Sequence, residues 1–191
     1  MFASVEQSIY EAVSMAFLTN LETEEKLVMR AKIDKTFKYT AAPMPMPKNP
    51  ENYVKIGGYF IEKGDLLPEV DPKYVQTKTV KQNMAEISRI VCSGRFPILL
   101  EGETSAGKTS IVCHLGKVTG NRIVRINNHE HTDIQEYMGS YVADDLGRLV
   151  FREGALVKAV RNGEWVILDE LNLAPTDVIE ALNRVSLEKD N

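Results

Sequence analysis

A run of eight residues has the types and spacing of a phosphate-binding loop, GxxxxGK[ST]. The run consists of Gly102, Glu103, Thr104, Ser105, Ala106, Gly107, Lys108 and Thr109. Its glycines would let the backbone fold tightly around phosphate oxygens, and its amides and the helix after it would supply positive potential. We expect Lys108 to reach the β and γ phosphates and Thr109 to ligate magnesium. The run therefore predicts that the chain binds ATP with Mg²⁺.

An apolar segment that ends in two carboxylates lies further along the chain, over residues 165–170. A strand beside the loop's own strand would bring Asp169 to the magnesium shell. It would leave Glu170 facing the γ-phosphate, where a carboxylate could polarise an attacking water. An apolar run followed by acidic residues is a weak signal by itself, because many strands end in polar residues. Together with the loop, it predicts an ATPase.

The segments around these residues alternate between strand and helix patterns. The apolar run 96–100 predicts a buried strand before the loop, and residues 108–119 have the pattern of a helix after it. Further strands are predicted at 122–126 and 165–168. Such alternation is typical of an α/β fold in which crossover helices join parallel strands.

The first forty residues predict a small helical unit. Ser4 and Gln7 form a capping box, and a second short helix is predicted over 27–33. Apolar residues recur every four positions and predict the buried face of the first helix: Val5, Ile9, Val13, Phe17 and Leu21.

Prolines separate this unit from the rest of the chain. Each removes a backbone donor and fixes φ, so the segment 41–52 predicts a linker. Beyond it, Gly57 and Gly58 lie between two short strand patterns, 53–56 and 59–62, which predicts a β-hairpin. Helical spacing returns from Thr79, with apolar residues at Val80, Met84, Ile87 and Val91.

Charge and composition narrow the classes of ligand. The chain carries 23 Lys+Arg against 27 Asp+Glu, a formal charge of −4, so it lacks the basic field that attracts nucleic acid, and no direct nucleic-acid ligand is predicted. No apolar run reaches the roughly 18 residues of a membrane span.

Cys92 and Cys113 lack metal-ligand spacing, which favours a reducing compartment. His129 and His131 allow a metal site, but a polar loop is the favoured interpretation.

Two further stretches resemble a known family. Residues 127–141 read Asn-Asn-His-Glu-His-Thr-Asp-Ile-Gln-Glu-Tyr-Met-Gly-Ser-Tyr, and residues 168–175 read Leu-Asp-Glu-Leu-Asn-Leu-Ala-Pro. Both resemble the midasin family of giant, dynein-related AAA+ proteins of large-ribosomal-subunit assembly. The likeness is clearest from Gly57 to Arg184. Single-module proteins of the MoxR type share the nucleotide motifs and remain an alternative.

The resemblance implies a fold for the middle of the chain: a P-loop NTPase (AAA+) parallel sheet whose second helix is interrupted by a β-hairpin. Thr132 and Gln135 form a capping box, so a helix is expected to start there. Residues 141–143 and 149–151 flank a turn and predict the hairpin. The helix is expected to resume over 154–162, with Gly163 at its end. The family implies that this hairpin contacts substrate or neighbouring modules.

The resemblance also implies how the chain is divided. Residues 1–40 are expected to be the lid remnant of a preceding module, 41–52 a linker, and 53–191 part of a nucleotide-binding domain. A complete module continues with a sensor strand, an arginine finger from its neighbour and a lid, whereas the likeness fades after Arg184. We therefore expect a piece of a larger polypeptide that hydrolyses ATP weakly alone.

The family implies a cellular role as well. The expected partners are neighbouring AAA+ modules of the same giant chain, the pre-60S ribosomal particle and its assembly factors. The expected location is the nucleus, in both nucleolus and nucleoplasm. An alternative from a different class is a truncated interaction segment that does not hydrolyse ATP.

Overall fold

The computed structural model describes residues 5–18, 21, 23–37, 44–94 and 97–187. It contains two compact units: the first comprises 1–62 and 75–98, and the second comprises 63–74 and 99–191. The boundaries predicted from the sequence, 1–40, 41–52 and 53–191, stay predictions. No helix within the described ranges is long and apolar enough to cross a bilayer.

Two helices, α1 (Val5–Leu18) and α2 (Thr23–Phe37), open the first unit. Both helices were predicted, but the prediction of which face of α1 is buried was wrong. Tyr10 and Leu18 are buried and pack with Ile33 of α2, whereas Val5 is 74% exposed and Phe17 is 57% exposed. A helix turns 100° per residue, so five positions spaced by four spread over about 160° and cannot all face one partner. The predicted capping residue Ser4 lies outside the described residues.

The first unit also contains a hairpin and a long helix, as predicted. Strands β1 (Tyr53–Ile56) and β2 (Tyr59–Glu62) pair antiparallel. Gly57 and Gly58 between them have φ of 58° and 95°, the left-handed values that a tight turn requires. Helix α3 (Lys78–Ser93) follows. Within this unit Lys26 of α2 pairs with Glu86 of α3 at 2.9 Å.

In the second unit, helix α4 spans Lys108–Thr119, as predicted. The segment 63–69 satisfies the carbonyls at its C-terminal end. The amides of Gly64, Leu66 and Glu69 donate to carbonyls in residues 117–120 at 2.9–3.0 Å. The ring of Tyr74 stacks on the buried ring of His114 at a centroid distance of 3.8 Å. The helix that follows the phosphate loop is therefore fixed at its far end.

The prediction of a strand before the loop is wrong. The described residues of that segment, 97–100, have no regular structure. A strand is stable only when a neighbour completes its hydrogen-bonded ladder. Among the described residues, no strand pairs with this segment. Leu99 is accordingly 74% exposed, and Pro97 has no amide to donate.

The parallel pair predicted from the alternating pattern is present. Strands β3 (Ile123–Asn127) and β6 (Trp165–Asp169) pair in parallel, with Asn127 opposite Asp169. Both strands therefore end at the same edge. The sheet neighbour of β6 is β3, and not the segment before the loop as the sequence suggested.

The crossover between β3 and β6 contains the predicted hairpin. Helix α5 (Ile134–Met138) leads directly into β4 (Gly139–Ala143), which pairs antiparallel with β5 (Leu149–Glu153). Helix α6 (Ala155–Arg161) then returns the chain to the sheet. The cap of α5 differs from the prediction, because the carboxylate of Asp133 accepts from the amide of Gln135, while Thr132 is buried and accepts from the amide of His129.

A small core joins these elements. Ile126, Tyr137, Leu156 and Val178 are buried together, and residues of β3, β6 and the crossover helices pack around them. Val178 belongs to helix α7 (Thr176–Leu187), which follows a 3-10 turn at Leu171–Leu173. This core holds the C-terminal ends of β3 and β6 in place.

The buried His114 makes the stability of the second unit depend on pH. Burial lowers the pKa of His114 below its model-peptide value of 6.5; Lys117 adds to the effect and Asp71 opposes it. The folded unit then keeps the ring neutral while the unfolded chain takes up a proton. The stability from this group is present above about pH 6.5 and is lost as the pH falls through the lower folded pKa.

The substitution His114→Phe keeps a ring against Tyr74 but removes the titrating group. When the pH falls from about 7.5 to about 5.5, we expect the free energy of unfolding to decrease less in His114→Phe than in the parent chain. Urea unfolding followed by the single tryptophan, Trp165, reports on the same unit. His131→Phe, at an exposed position, should keep the full pH dependence. Equal pH dependence in His114→Phe and the parent chain would contradict the assignment.

Candidate nucleotide-binding site

The predicted phosphate loop forms an exposed turn before α4. Gly102 and Gly107 have φ of 149° and 82°, and Ser105 has φ of 62°. A Cβ at either glycine would meet nothing within 4 Å, so conformation rather than crowding requires glycine here. Gly107 is the N-cap of α4 and provides no side-chain cap. The first amides of a 12-residue helix are therefore available to an anion.

The ammonium group of Lys108 lies against its own loop. Its Nζ donates to the carbonyl oxygens of Gly102 and Glu103, each at 2.8 Å. The positive charge is thus held at the start of the loop instead of extending into solvent. A phosphate bound in the loop would meet this charge and the helix amides together.

The loop and the acidic strand meet through one hydrogen bond. The Thr109 hydroxyl, in the first turn of α4, donates to Oδ1 of Asp169 at 2.9 Å. Asp169 is the last residue of β6 and is half-buried. The structure therefore brings together the two residues predicted to hold magnesium.

A residue that was not predicted, Arg125, contacts the other oxygen of the same carboxylate. Its Nε pairs with Oδ2 of Asp169. Arg125 lies on β3, opposite Ile167 of the neighbouring strand, and its side chain is 59% exposed. The sequence did show a charged residue within the apolar pattern of β3. Which side chain this arginine contacts, however, depends on which strand lies beside β3.

Glu170 follows β6 directly and is exposed. Its backbone is left-handed, with φ of 51° and ψ of 42°. A non-glycine residue seldom adopts this conformation, which costs about 1–2 kcal/mol. The chain therefore turns sharply between the metal-ligand candidate and the candidate general base, and the carboxylate of Glu170 is directed to solvent and not into the core.

Asn128 and Tyr137 were also missed by the sequence analysis. The Asn128 backbone amide and Nδ2 both donate to the carbonyl oxygen of Asp169, at 3.0 and 2.8 Å. The Tyr137 hydroxyl donates to Oδ1 of Asn128. Both side chains are almost fully buried. They lie within the polar stretch that carried the family resemblance, but only the strand register shows what Asn128 contacts.

The two histidines form part of the loop after β3. The amide of His131 donates to Nδ1 of His129 at 3.1 Å. Across the described ranges no three His, Cys, Asp or Glu side chains cluster as a metal site. The candidate cation site therefore consists of one hydroxyl and one carboxylate, with the remaining ligands to come from nucleotide and water.

These donors suit magnesium with a nucleotide. Mg²⁺ prefers hard oxygen ligands and is usually held by one or two protein groups together with phosphate oxygens. Thr109 and Asp169 are such a pair, and they lie beside Lys108 and the open helix N-terminus. The arrangement can therefore hold a magnesium-bound polyphosphate.

Comparisons with known proteins point in the same direction. Residues 97–189 match the family described as AAA domain (dynein-related subfamily). The chain is similar to Midasin of Dictyostelium discoideum, with 45% identity over 196 aligned positions, and to Midasin of Giardia intestinalis, with 55% identity over 129. These alignments cover 94% and 67% of this chain but only 3% of each relative. Protein NorQ of Paracoccus denitrificans is 33% identical over 88 positions, 46% of this chain and 32% of NorQ.

The contact between Arg125 and Asp169 should compete with magnesium. We expect Arg125→Gln to reduce the Mg²⁺ concentration for half-maximal nucleotide binding by up to about fivefold, because an exposed ion pair is worth about 0.2–1 kcal/mol. Titration of a fluorescent ATP analogue at varied Mg²⁺ measures this.

Arg122→Gln is the matched control for this titration. Arg122 is a similarly exposed arginine that precedes β3 and pairs with Glu164 instead of Asp169. Its substitution should leave the magnesium dependence unchanged. A higher magnesium requirement in Arg125→Gln would instead show that Arg125 orients Asp169 for the metal.

Proposed function

Because this chain belongs to the midasin family of dynein-related AAA proteins, we propose that it binds magnesium-ATP and hydrolyses it as one module of an AAA+ array. The observation that carries the proposal is the hydrogen bond between Thr109 and Asp169. It joins the phosphate loop to the acidic strand, which is the convergence that phosphoryl transfer to water requires.

Each residue of the site has a separate task. Lys108 holds the β and γ phosphates together with the loop amides of residues 102–107. Thr109 and Asp169 hold magnesium, which when bound neutralises charge on the phosphates. Glu170 orients the attacking water and accepts its proton. Glu170 suits this task because it is exposed and lies one residue from the metal-ligand candidate.

Turnover by this chain alone is expected to be slow. The family resemblance implies that a neighbouring module supplies an arginine finger, and such a finger is worth about 10³ to 10⁵ in rate. Nucleotide binding needs no such group, because the loop, Lys108 and the Thr109–Asp169 pair all lie in the second unit. Nucleotide binding is therefore the more direct test of whether this chain forms the site, and hydrolysis tests the proposed role of Glu170.

The biological proposal goes further. On the resemblance of residues 127–141 and 168–175, the module works within a giant chain whose hydrolysis remodels pre-60S ribosomal particles and promotes their export. Its partners are then the adjacent AAA+ modules, the particle and its assembly factors. Its location is the nucleus, in nucleolus and nucleoplasm.

Substitutions separate binding from hydrolysis. Lys108→Ala should abolish magnesium-dependent binding of a fluorescent ATP analogue, because a positive charge at the phosphates is lost. Glu170→Gln should bind normally but hydrolyse about 100-fold more slowly or worse in a single turnover, because general-base catalysis typically contributes about 10²–10⁴-fold.

Lys117→Ala is the matched control for Lys108→Ala, since Lys117 lies on the same helix, at the opposite end. It should bind like the parent chain. Equal binding by Lys108→Ala and the parent would refute the site. Absence of any nucleotide binding by the folded parent chain would favour the alternative, an interaction segment without hydrolysis.

A cellular measurement tests the biological proposal. An antibody raised against this segment should detect a polypeptide of hundreds of kilodaltons, as a giant multi-module chain requires. In a sucrose gradient of nuclear extract, this polypeptide should sediment with pre-60S particles. Detection outside the nucleus alone, or sedimentation free of particles in every extract, would contradict the proposed role while leaving the nucleotide site intact.

A further inference from the structure

A line of buried hydrogen bonds connects the base of the hairpin β4–β5 to the backbone beside Glu170. It begins at the hydroxyl of Tyr137, passes through the amide group of Asn128 and ends on the carbonyl oxygen of Asp169. Tyr137 and Asn128 are only 1% and 2% exposed. Water cannot replace these bonds at such positions, so each of them restrains its partners strongly.

The last bond fixes a peptide plane. The carbonyl oxygen of Asp169 accepts from both the backbone amide and Nδ2 of Asn128. That carbonyl belongs to the peptide that leads into Glu170, whose left-handed backbone is unfavourable by itself. A conformation of this kind persists only when surrounding contacts impose it, and Asn128 provides two such contacts.

The other end of the line is the hairpin base. Strand β4 begins two residues after Tyr137, and the amide of Gly154, just after β5, donates to the carbonyl of Met138 at 3.1 Å. A Cβ on Gly154 would meet the Tyr137 backbone at 2.4 Å, and one on Gly139 would meet the Arg152 carbonyl at 2.3 Å. Both hairpin strands therefore end in direct contact with the backbone around Tyr137.

We propose that Asn128 and Tyr137 are positioning residues that hold Glu170 in its hydrolytic orientation and link that orientation to the base of the hairpin. This rests on the proposed function for the role of Glu170, whereas the link itself is a structural property. Burial raises the pKa of the Tyr137 hydroxyl, so the group remains protonated and able to donate at physiological pH.

The hydroxyl of Tyr137 can be removed without its ring. In Tyr137→Phe, hydrogen exchange measured by mass spectrometry should rise roughly fivefold over residues 170–174, as expected for the loss of one hydrogen bond. Within that segment the amides of Leu173 and Ala174 close the 3-10 turn after Glu170. Exchange in α4 should stay unchanged. Asn128→Ala, which removes both side-chain bonds, should have a larger effect at the same residues.

Kinetics supply the readout that a merely structural role would not give. Single-turnover ATP hydrolysis by Tyr137→Phe should fall by about fivefold, while the Kd for the magnesium-bound analogue stays within about twofold of the parent value. Tyr141→Phe is the matched control, because Tyr141 is a 71% exposed tyrosine of the same hairpin. It should change neither exchange over 170–174 nor hydrolysis.

Two results would overturn the proposal. One is unchanged exchange over 170–174 in both Tyr137→Phe and Asn128→Ala. The other is a loss spread equally over α4, nucleotide affinity and hydrolysis, which would mark general destabilisation. If the parent chain binds or hydrolyses no nucleotide, the proposed function fails, yet faster exchange confined to 170–174 would still support the link.

Discussion

The site depends on one hydrogen bond, from the hydroxyl of Thr109 to the carboxylate of Asp169. Its partners are 60 positions apart in the chain, so it depends on the packing of α4 against the end of β6 and not on local sequence. The parallel register places the ends of β3 and β6 at one edge, and the N-terminus of α4 meets that edge. A change in this register by one residue would turn Asp169 to the opposite face of the sheet.

The charges at this edge are arranged around a single carboxylate. Asp169 accepts from Thr109 on one oxygen and contacts Arg125 on the other, so neither oxygen of the carboxylate is left to solvent alone. The Thr109 bond is compatible with a bound metal, because it sets the spacing of two hard oxygen ligands. The Arg125 contact opposes metal binding through its positive charge, but it is weak, since the side chain is mostly exposed. Magnesium with its phosphates can therefore displace the arginine at little cost.

Local signals predicted the parts of this fold whose conformation is determined within a few residues. The bounds of α4 and the Gly57-Gly58 turn were expected from apolar spacing and from glycine. The hairpin after α5 was expected from its turn residues together with the family resemblance, and the AAA class and that resemblance are confirmed by the matches. The failures concern partners that sequence alone does not identify. The run 97–100 is apolar but lacks a neighbouring strand in the described chain, and α1 buries Tyr10 because α2 offers Asp34 to its hydroxyl. Likewise, the contacts of Arg125 and Asn128 with Asp169 follow only from the register of β3 against β6. The roles of Lys108, Thr109, Asp169 and Glu170 stay predictions, which the observed contacts support.

The placement of the hairpin follows from the same geometry. An insertion between two helices disturbs a fold least when its two ends lie close together. Here Gly139 lies against the backbone at the end of β5, and Gly154 lies against the backbone of Tyr137. Beyond this base the strands carry exposed apolar side chains, including Tyr141 and Phe151, whose rings pack edge to face at 5.3 Å. The outer part of the hairpin is thus exposed and does not pack against the core. Its base, in contrast, shares Tyr137 with the core around Ile126 and Leu156, so a displacement of the base must disturb the packing that holds the end of β6.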